Sequence, residues 1–266
     1  MNGTSIGTSL RAFRTLDAVI EELLPAAAAS AEAFGDPPGA ALLPQEAAIV
    51  ARASDKRRRE FTTGRECARI ALGKLGVELG PILVGERGAP LWPPGIVGSI
   101  THCDGYRAAV VARTSDVTAI GLDAEPNGPL PGGVLEVVSR SAERDRLAAL
   151  ADLAAERPGQ PGVCWDRLLF SAKESVYKAW FPLTGTWLGF EDADVTIKPD
   201  GTFTAHLVTP ARPTPPAASP SPAATPPDAA PPPAGFTGRW LAAVGLVLTA
   251  IVVPAREPAV PASAPG

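Results

Sequence analysis

Cysteine, histidine and methionine are scarce in this chain of 266 residues. It has three cysteines (Cys67, Cys103 and Cys164), two histidines and one methionine. The cysteines are odd in number and lack C-x-x-C spacing, so the sequence suggests neither a disulfide framework nor a zinc site.

A strong net charge is also absent, and we expect no signal peptide. The formal net charge is −4, which gives no general argument for binding to nucleic acid or to an anionic membrane. Residues 1–14 hold no apolar core of signal-peptide length. We therefore expect a cytoplasmic protein. The apolar fraction of 45% is that of a globular chain, and the length suffices for one large domain or two smaller lobes.

An apolar run near the C-terminus is too short to cross a membrane. Residues 240–253 form this run of fourteen, whereas a transmembrane helix needs ~20 residues. Gly245 interrupts the run near its middle, which favours two short core strands joined at that glycine. The alternative is a membrane anchor.

Proline is concentrated in one segment. Residues 210–235 contain eleven of the thirty prolines and are otherwise mostly Ala, Ser and Thr. Such a segment buries too little apolar surface to offset its ordering entropy. We expect a disordered insert over residues 210–235 and a frayed tail over residues 254–266.

Residues 49–75 show helical periodicity. The residues that recur at helical spacing and form a predicted buried stripe are Phe61, Ala68, Leu72 and Leu75. The polar residues of an adjacent face are Arg58, Thr62, Arg65 and Arg69. Residues 52–74 include eight basic and three acidic residues, which suggests an anion such as a phosphate as ligand. The alternative is a solvated charged face, which is what charge runs usually are.

The string G-L-D-A-E at residues 121–125 places two carboxylates at i and i+2. Its apolar neighbours predict a largely buried strand over residues 117–123, which would point Asp123 and Glu125 to one side. Burying two carboxylates is costly unless a cation compensates them, which favours a metal ion over a solvated strand edge.

A second helix is predicted over residues 166–181, with its apolar residues facing the core. Glu174 and Lys178 stack at i and i+4 on the other side, where the plain alternative is a surface ion pair. With Asp123 and Glu125 they supply three hard oxygen ligands and one ammonium. That set suits Mg²⁺ and a pyrophosphate, and so indicates phosphoryl-type chemistry.

His102 stands apart from the other histidine. Ser99 and Thr101 surround it with phosphate donors on a predicted turn before a strand at residues 106–112. A lone histidine is more often structural, which is our interpretation of His206.

Two different functions could use the features described so far. A Mg²⁺-dependent phosphohydrolase needs carboxylates and basic residues, and it would release inorganic phosphate. A membrane-tethered binding protein would use residues 210–235 as a stalk and residues 240–253 as an anchor, which fractionation would reveal.

Four ordered blocks resemble the Sfp-type 4′-phosphopantetheinyl transferases, in particular the actinobacterial branch. The blocks are residues 57–65, 98–103, 121–125 and 170–178. The last two correspond to the family's G-x-D and K-E-x-x-x-K signatures. The resemblance covers residues 57–187 and resumes at 238–253. It departs at Val84, a position that is often basic in relatives, and in the proline-rich segment.

The resemblance implies an α+β fold. Two similar α/β lobes, each a small antiparallel sheet packed on helices, would be arranged with pseudo-two-fold symmetry around a cleft that binds coenzyme A. We expect an N-terminal lobe over residues 1–122, a C-terminal lobe over residues 123–253, and a monomer.

The resemblance also implies the reaction. The 4′-phosphopantetheine arm of coenzyme A passes to a serine hydroxyl of an apo acyl or peptidyl carrier protein, and 3′,5′-ADP is released. Carriers of fatty-acid, polyketide and peptide synthesis all fit, and neither nucleic acid nor a membrane is expected as a partner.

Residue roles follow from the same resemblance. Asp123, Glu125 and Glu174 would hold Mg²⁺, which Mn²⁺ could replace. Glu174, acting directly or through a metal-bound water, is the first candidate for the base that takes the serine proton, and His102 is the weaker one. Lys178 would pair with the pyrophosphate.

The remaining implied residues bind coenzyme A. Lys173 would help Lys178 at the pyrophosphate. The 3′-phosphate and its neighbouring oxygens would be held by Arg58, Arg65, Thr101 and His102.

Overall fold

The computed structural model describes residues 18–155, 162–208 and 233–255. Its fold is α+β with antiparallel sheets, as the resemblance implies. Residues 210–232 of the expected insert and 256–266 of the expected tail lie outside the described residues, so both expectations stay predictions.

Fifteen strands and helices carry the described fold. In chain order they are β1 (Ala28–Phe34), α1 (Pro44–Ile49), α2 (Asp55–Lys74), β2 (Leu83–Val84), β3 (Pro90–Leu91), β4 (Ile96–Cys103), β5 (Tyr106–Arg113), β6 (Val117–Pro126), α3 (Val134–Val138), α4 (Ser141–Ala155), α5 (Trp165–Thr184), β7 (Ala193–Ile197), β8 (Thr202–Leu207), β9 (Gly235–Ala243) and β10 (Leu246–Pro254).

The first lobe is a three-stranded sheet of order β1-β5-β4 with α2 packed on one face. Ser54 caps this helix, since its side chain accepts a hydrogen bond from the Arg57 N–H at 3.3 Å. Cys67, Ala68 and Leu72 recur at helical spacing and are fully buried against the sheet. The predicted stripe is therefore confirmed at Ala68 and Leu72, whereas Phe61 is buried outside this cluster.

The second lobe is a five-stranded sheet of order β6-β10-β9-β8-β7, with α5 packed across β6 and β10. Helix and strand approach closely at Gly121, because a Cβ atom there would overlap the backbone carbonyl oxygen of Ser175. The glycine therefore lets α5 lie directly against β6. The expected division between lobes at residue 122 falls within β6, and the division stays a prediction.

A hairpin of β9 and β10 forms most of the C-terminal apolar run. Val244 and Gly245 occupy the turn with φ angles of 48° and 78°, the left-handed pair of a two-residue hairpin. The prediction of two strands joined at Gly245 is confirmed. No helix within the described residues is both long and apolar enough to span a bilayer.

The two lobes meet where β4 passes β6, and the two strands belong to different sheets. Side-chain hydroxyls bridge this seam. The Leu122 N–H donates to Ser99 Oγ at 3.1 Å, and the Ala124 N–H donates to Thr101 Oγ1 at 3.1 Å. The prediction that His102 lies on a turn is wrong: it lies on β4, one residue after Thr101.

Candidate active site

A cavity of about 680 Å³ lies between the two lobes. One wall comes from α2, the hairpin around β2 and β3, and strand β4, and the other comes from α5. Its polar and charged lining residues are Arg57, Glu60, Arg65, Arg87, Ser99, His102, Glu174, Tyr177 and Lys178. The cavity therefore brings together three of the four sequence blocks.

Arg57 and His102 form a contact on the first wall of the cavity. Nη1 of Arg57 donates to Nε2 of His102 at 2.6 Å, so Nδ1 carries the imidazole proton. Nδ1 lies 3.8 Å from Glu60 Oε2. Burial, and then the charge of Arg57, lower the pKa of His102 below its usual value. The contact with Arg57 therefore favours one tautomer of the neutral imidazole.

Arg58 does not line this cavity, although the sequence-based interpretation placed it on the phosphate. Its Nη2 donates to the carbonyl oxygens of Ala51 and Ala53 at 3.4 and 3.2 Å. In the first turn of α2 the side chain reaches back to the preceding loop. Of the three consecutive arginines at residues 57–59, Arg57 is the one that lines the cavity. The sequence alone had assigned it no role.

Arg65 does line the cavity, as a partly engaged cation. Its Nε donates to the carbonyl oxygen of Ile82 at 2.8 Å, and its guanidinium lies 4.2 Å from the centre of the Phe61 ring. Burial lowers the pKa of Arg65 to about 10. The side chain therefore keeps its positive charge at neutral pH.

Asp123 lies behind Lys178 and is almost fully buried. Its Oδ1 accepts hydrogen bonds from Lys178 Nζ at 2.7 Å and from Thr101 Oγ1 at 3.3 Å. Its Oδ2 is buried and has no hydrogen-bond partner among the described residues. Lys178 pairs with Asp123 rather than with Glu174, so the simple i,i+4 ion pair is not what this helix face forms.

Glu125 faces the start of α5, where its Oε2 lies 3.1 Å from Arg167 Nη1. Burial and the neighbouring charge of Asp123 raise the pKa of Glu125, against the opposing effect of Arg167. Asp123 and Glu125 both contact α5, which confirms that the i,i+2 spacing points them to one side of β6.

Glu174 lines two cavities, as Tyr177 does. Besides the large one, it lines a second cavity of about 150 Å³. The second cavity is mainly apolar and its lining includes Tyr177, Trp187, Leu188 and Phe190. Burial raises the pKa of Glu174, and the charge of Asp123 raises it further while Lys178 opposes both effects.

Lys173 does not reach the large cavity, and its ammonium group is fully engaged. Nζ lies 2.8 Å from Glu143 Oε2 and donates to the carbonyl oxygens of Phe190 and Ala193 at 2.7 and 3.0 Å. The side chain is 1% exposed. The three contacts leave no N–H for a phosphate, so the implied role of Lys173 at the pyrophosphate does not fit this arrangement.

The three carboxylates are not drawn together as a metal site in this arrangement. Across residues 18–155, 162–208 and 233–255, no three His, Cys, Asp or Glu side chains are close enough together to hold a metal ion. Asp123 and Glu125 are each paired with a cation of α5. Their chemistry nevertheless fits Mg²⁺, because carboxylate oxygens are the ligands it prefers and Asp123 Oδ2 is buried without a partner.

Comparisons with known proteins match both halves of the chain. A family model described as the 4′-phosphopantetheinyl transferase N-terminal domain matches residues 45–112, and a model of the 4′-phosphopantetheinyl transferase superfamily matches residues 119–230. The chain is 52% identical over 252 residues to the 4′-phosphopantetheinyl transferase Svp of Streptomyces mobaraensis, covering 93% of this chain and 94% of that protein.

Two further relatives match over nearly their whole length. PptT of Mycobacterium tuberculosis is 47% identical over 244 residues, covering 90% of this chain and 100% of that protein. Npt of Nocardia iowensis is 44% identical over 241 residues, covering 88% and 99%. Both are 4′-phosphopantetheinyl transferases by name. The chain therefore belongs to the 4′-phosphopantetheinyl transferase superfamily.

Proposed function

We propose that Glu174 marks the point at which this enzyme transfers the 4′-phosphopantetheine arm of coenzyme A to a serine hydroxyl of an apo carrier protein, releasing 3′,5′-ADP. The observation that carries the proposal is that Glu174 and Tyr177 line both cavities, and Glu174 is the carboxylate of the two. Coenzyme A is a nucleotide joined to a long arm by a pyrophosphate. If coenzyme A fills both cavities, its pyrophosphate would lie next to this carboxylate.

The linings of the two cavities suit the two parts of coenzyme A. The larger one carries Arg57 and Arg65, whose positive charges suit the phosphates of the nucleotide. The smaller one is lined by Tyr177, Trp187 and Leu188, which suit the less polar arm.

We assign the metal to Asp123, Glu125 and Glu174, with Glu125 exchanging its contact with Arg167 for the cation. When bound, Mg²⁺ would neutralise charge on the pyrophosphate and on the leaving group. Lys178 lines the cavity and would pair with a phosphate oxygen once its contact with Asp123 is relieved.

Glu174 is the base in this proposal. The serine oxygen forms a bond to phosphorus while the bridging P–O bond breaks, 3′,5′-ADP leaves with the electron pair, and Glu174 accepts the serine proton. Burial, which raises its pKa, makes this carboxylate a better proton acceptor. His102 is less suited to the role because its Nε2 already accepts a hydrogen bond from Arg57.

A panel of apo acyl and peptidyl carrier proteins tests the function. Each carrier is incubated with coenzyme A, Mg²⁺ and the enzyme, and its intact mass is measured. We expect a mass gain of one phosphopantetheine arm on at least one carrier, lost when its acceptor serine is replaced by alanine. Release of inorganic phosphate with no mass gain on any carrier would contradict the proposal.

We also propose that the enzyme works as a monomer in the cytoplasm. Both walls of the large cavity come from one chain, so a second copy is not needed to complete it. Cys67, Cys103 and Cys164 are free thiols, and free thiols are typical of reducing compartments. Sedimentation at several protein concentrations tests the monomer, and a dimer that persists on dilution would contradict it.

A further inference from the structure

Thr101 lies at the seam between the lobes, where its hydroxyl has two partners on β6. Oγ1 accepts a hydrogen bond from the Ala124 N–H at 3.1 Å and donates one to Asp123 Oδ1 at 3.3 Å. The residue is 2% exposed and does not line the large cavity. Its single hydroxyl proton is directed at the carboxylate, so it is not available to a phosphate of coenzyme A.

The two hydrogen-bond donors to Asp123 share one oxygen atom. Thr101 Oγ1 and Lys178 Nζ both donate to Oδ1, and Oδ2 is left without a partner among the described residues. The terminal torsion of an aspartate is broad and roughly two-fold, so packing alone does not select one orientation of the carboxylate. Donors on opposite lobes, one on β4 and one on α5, select it here.

We infer that Thr101 is a positioning residue, which holds Asp123 Oδ1 from the opposite lobe so that Oδ2 is presented to a cation. The inference rests on the proposed function in one respect, the assignment of Asp123 as a metal ligand. It replaces the role that the resemblance implied for Thr101, which was a direct contact to coenzyme A.

Ser99 provides an internal comparison. It lies two residues earlier on β4, and its Oγ accepts a hydrogen bond from the Leu122 N–H at 3.1 Å. It therefore bridges the same seam in the same way, but it does not contact Asp123. A purely structural role for Thr101 predicts the same kind of effect from removing either hydroxyl.

The experiment compares T101V, T101S and S99A with the wild type. We measure kcat, the KM for coenzyme A, the Mg²⁺ concentration that gives half-maximal rate, and Mn²⁺ binding by electron paramagnetic resonance. T101V should weaken Mn²⁺ binding and raise the Mg²⁺ requirement, each by about tenfold, as expected for loss of a hydrogen bond to a charged group. Its KM for coenzyme A should stay within about twofold, and T101S should restore metal binding.

Several outcomes would overturn the inference. A raised KM for coenzyme A with unchanged Mn²⁺ affinity would make Thr101 a substrate contact. Equal losses of Mn²⁺ affinity in S99A and T101V would make it a general seam residue. If T101V does not fold, T101A removes the hydroxyl without adding a methyl group at that position, and the same outcomes apply.

A double-mutant cycle in the absence of metal distinguishes failure of this inference from failure of the proposed function. T101V and D123N are combined, and the free energy of unfolding is measured in EDTA. Non-additive effects would show the contact between Thr101 and Asp123 whatever Asp123 does in catalysis. Additive effects would show that the two side chains do not interact, and would overturn the inference. If the cycle shows the contact but D123N binds Mn²⁺ as the wild type does, the metal assignment fails instead.

Discussion

The backbone carbonyl oxygen of Ser175 occupies the space that a Cβ atom would need on Gly121. Ser175 follows Glu174 on α5, and Gly121 lies two residues before Asp123 on β6. The glycine of the G-x-D string is therefore what lets the helix carrying one candidate metal ligand lie against the strand carrying another. The packing of α5 on β6 at this contact explains the glycine of the motif.

Replacing Gly121 with alanine should destabilise the protein strongly, because its obstacles are backbone atoms of α5 that cannot rotate away. We expect a fall in melting temperature of at least several degrees, measured by thermal unfolding. G128A is the matched control, since Gly128 has open space at its Cβ position. Equal melting temperatures for the two variants would contradict the close packing of α5 on β6.

Replacing Arg57 and replacing Arg58 should have very different effects on coenzyme A binding, although the two residues are adjacent. R57A removes a cation that lines the large cavity and should weaken coenzyme A binding by about tenfold or more, as for a hydrogen bond to a charged group. R58A removes contacts to the carbonyls of the preceding loop and should change binding by less than about twofold, the range expected away from a binding site.

Calorimetric titration with coenzyme A measures both effects. Repeating the titration with 3′-dephospho-coenzyme A locates the contact: the loss in R57A should shrink if Arg57 meets the 3′-phosphate. A larger loss in R58A than in R57A would contradict the orientation of α2.

The structure explains why the sequence led to Arg58. In a run of three arginines, the residue that faces the cleft depends on the phase at which α2 packs on its sheet. Periodicity set that phase only within about one residue, because the apolar stripe of α2 is broad. Near the start of the helix, Arg58 also finds nearby loop carbonyls that no spacing rule indicates.

Elements decided by short-range pattern were predicted well. The helix expected over residues 166–181 is observed as α5, extended at both ends, and the strand expected over residues 117–123 is observed within β6. The hairpin at Gly245 followed from one glycine in an apolar run. Each of these depends on neighbours within a few positions.

Partners distant in the sequence could not be predicted in the same way. Lys173 looks like a phosphate ligand in its motif, but its ammonium pairs with Glu143, thirty residues earlier on α4. Thr101 was expected to contact a phosphate and instead meets Asp123 across the seam. Both outcomes depend on how separate elements pack, which local spacing does not report.

The pH dependence of the reaction should reflect the raised pKa of Glu174. A base is active when ionised, so the rate should fall as the pH drops through this pKa, at a higher pH than for an exposed glutamate. A bound cation favours the ionised form and lowers the pKa. Raising Mg²⁺ at constant ionic strength should therefore move the acid limb of kcat/KM to lower pH. An acid limb that stays at the same pH would show that Glu174 is not a metal ligand.

Ending the chain at Gly238 should prevent folding of the second lobe. The truncation deletes β10, which lies between β6 and β9 in the sheet. It removes fully buried side chains such as Val247, Leu248 and Ile251, each worth ~1.5–3 kcal/mol on burial. Their sum approaches the ~5–15 kcal/mol stability of a typical domain.

We therefore expect aggregated protein from that truncation, read by sedimentation of the expressed lysate. A chain ending at Ala255 keeps β10 and serves as the control. A folded, active enzyme ending at Gly238 would contradict the role of the hairpin and would revive the membrane-anchor alternative.

The replacement of Glu174 with glutamine tests the central claim most directly. The amide keeps the size of the side chain but cannot accept the serine proton. Intact-mass measurement of an apo carrier protein, at saturating coenzyme A and Mg²⁺, should show phosphopantetheine transfer slowed by about 100-fold or more. Affinity for coenzyme A should change far less, and E78Q, at an exposed glutamate away from both cavities, should transfer at the wild-type rate. Transfer by E174Q within a few-fold of the wild type would contradict the claim that Glu174 lies at the reacting bond.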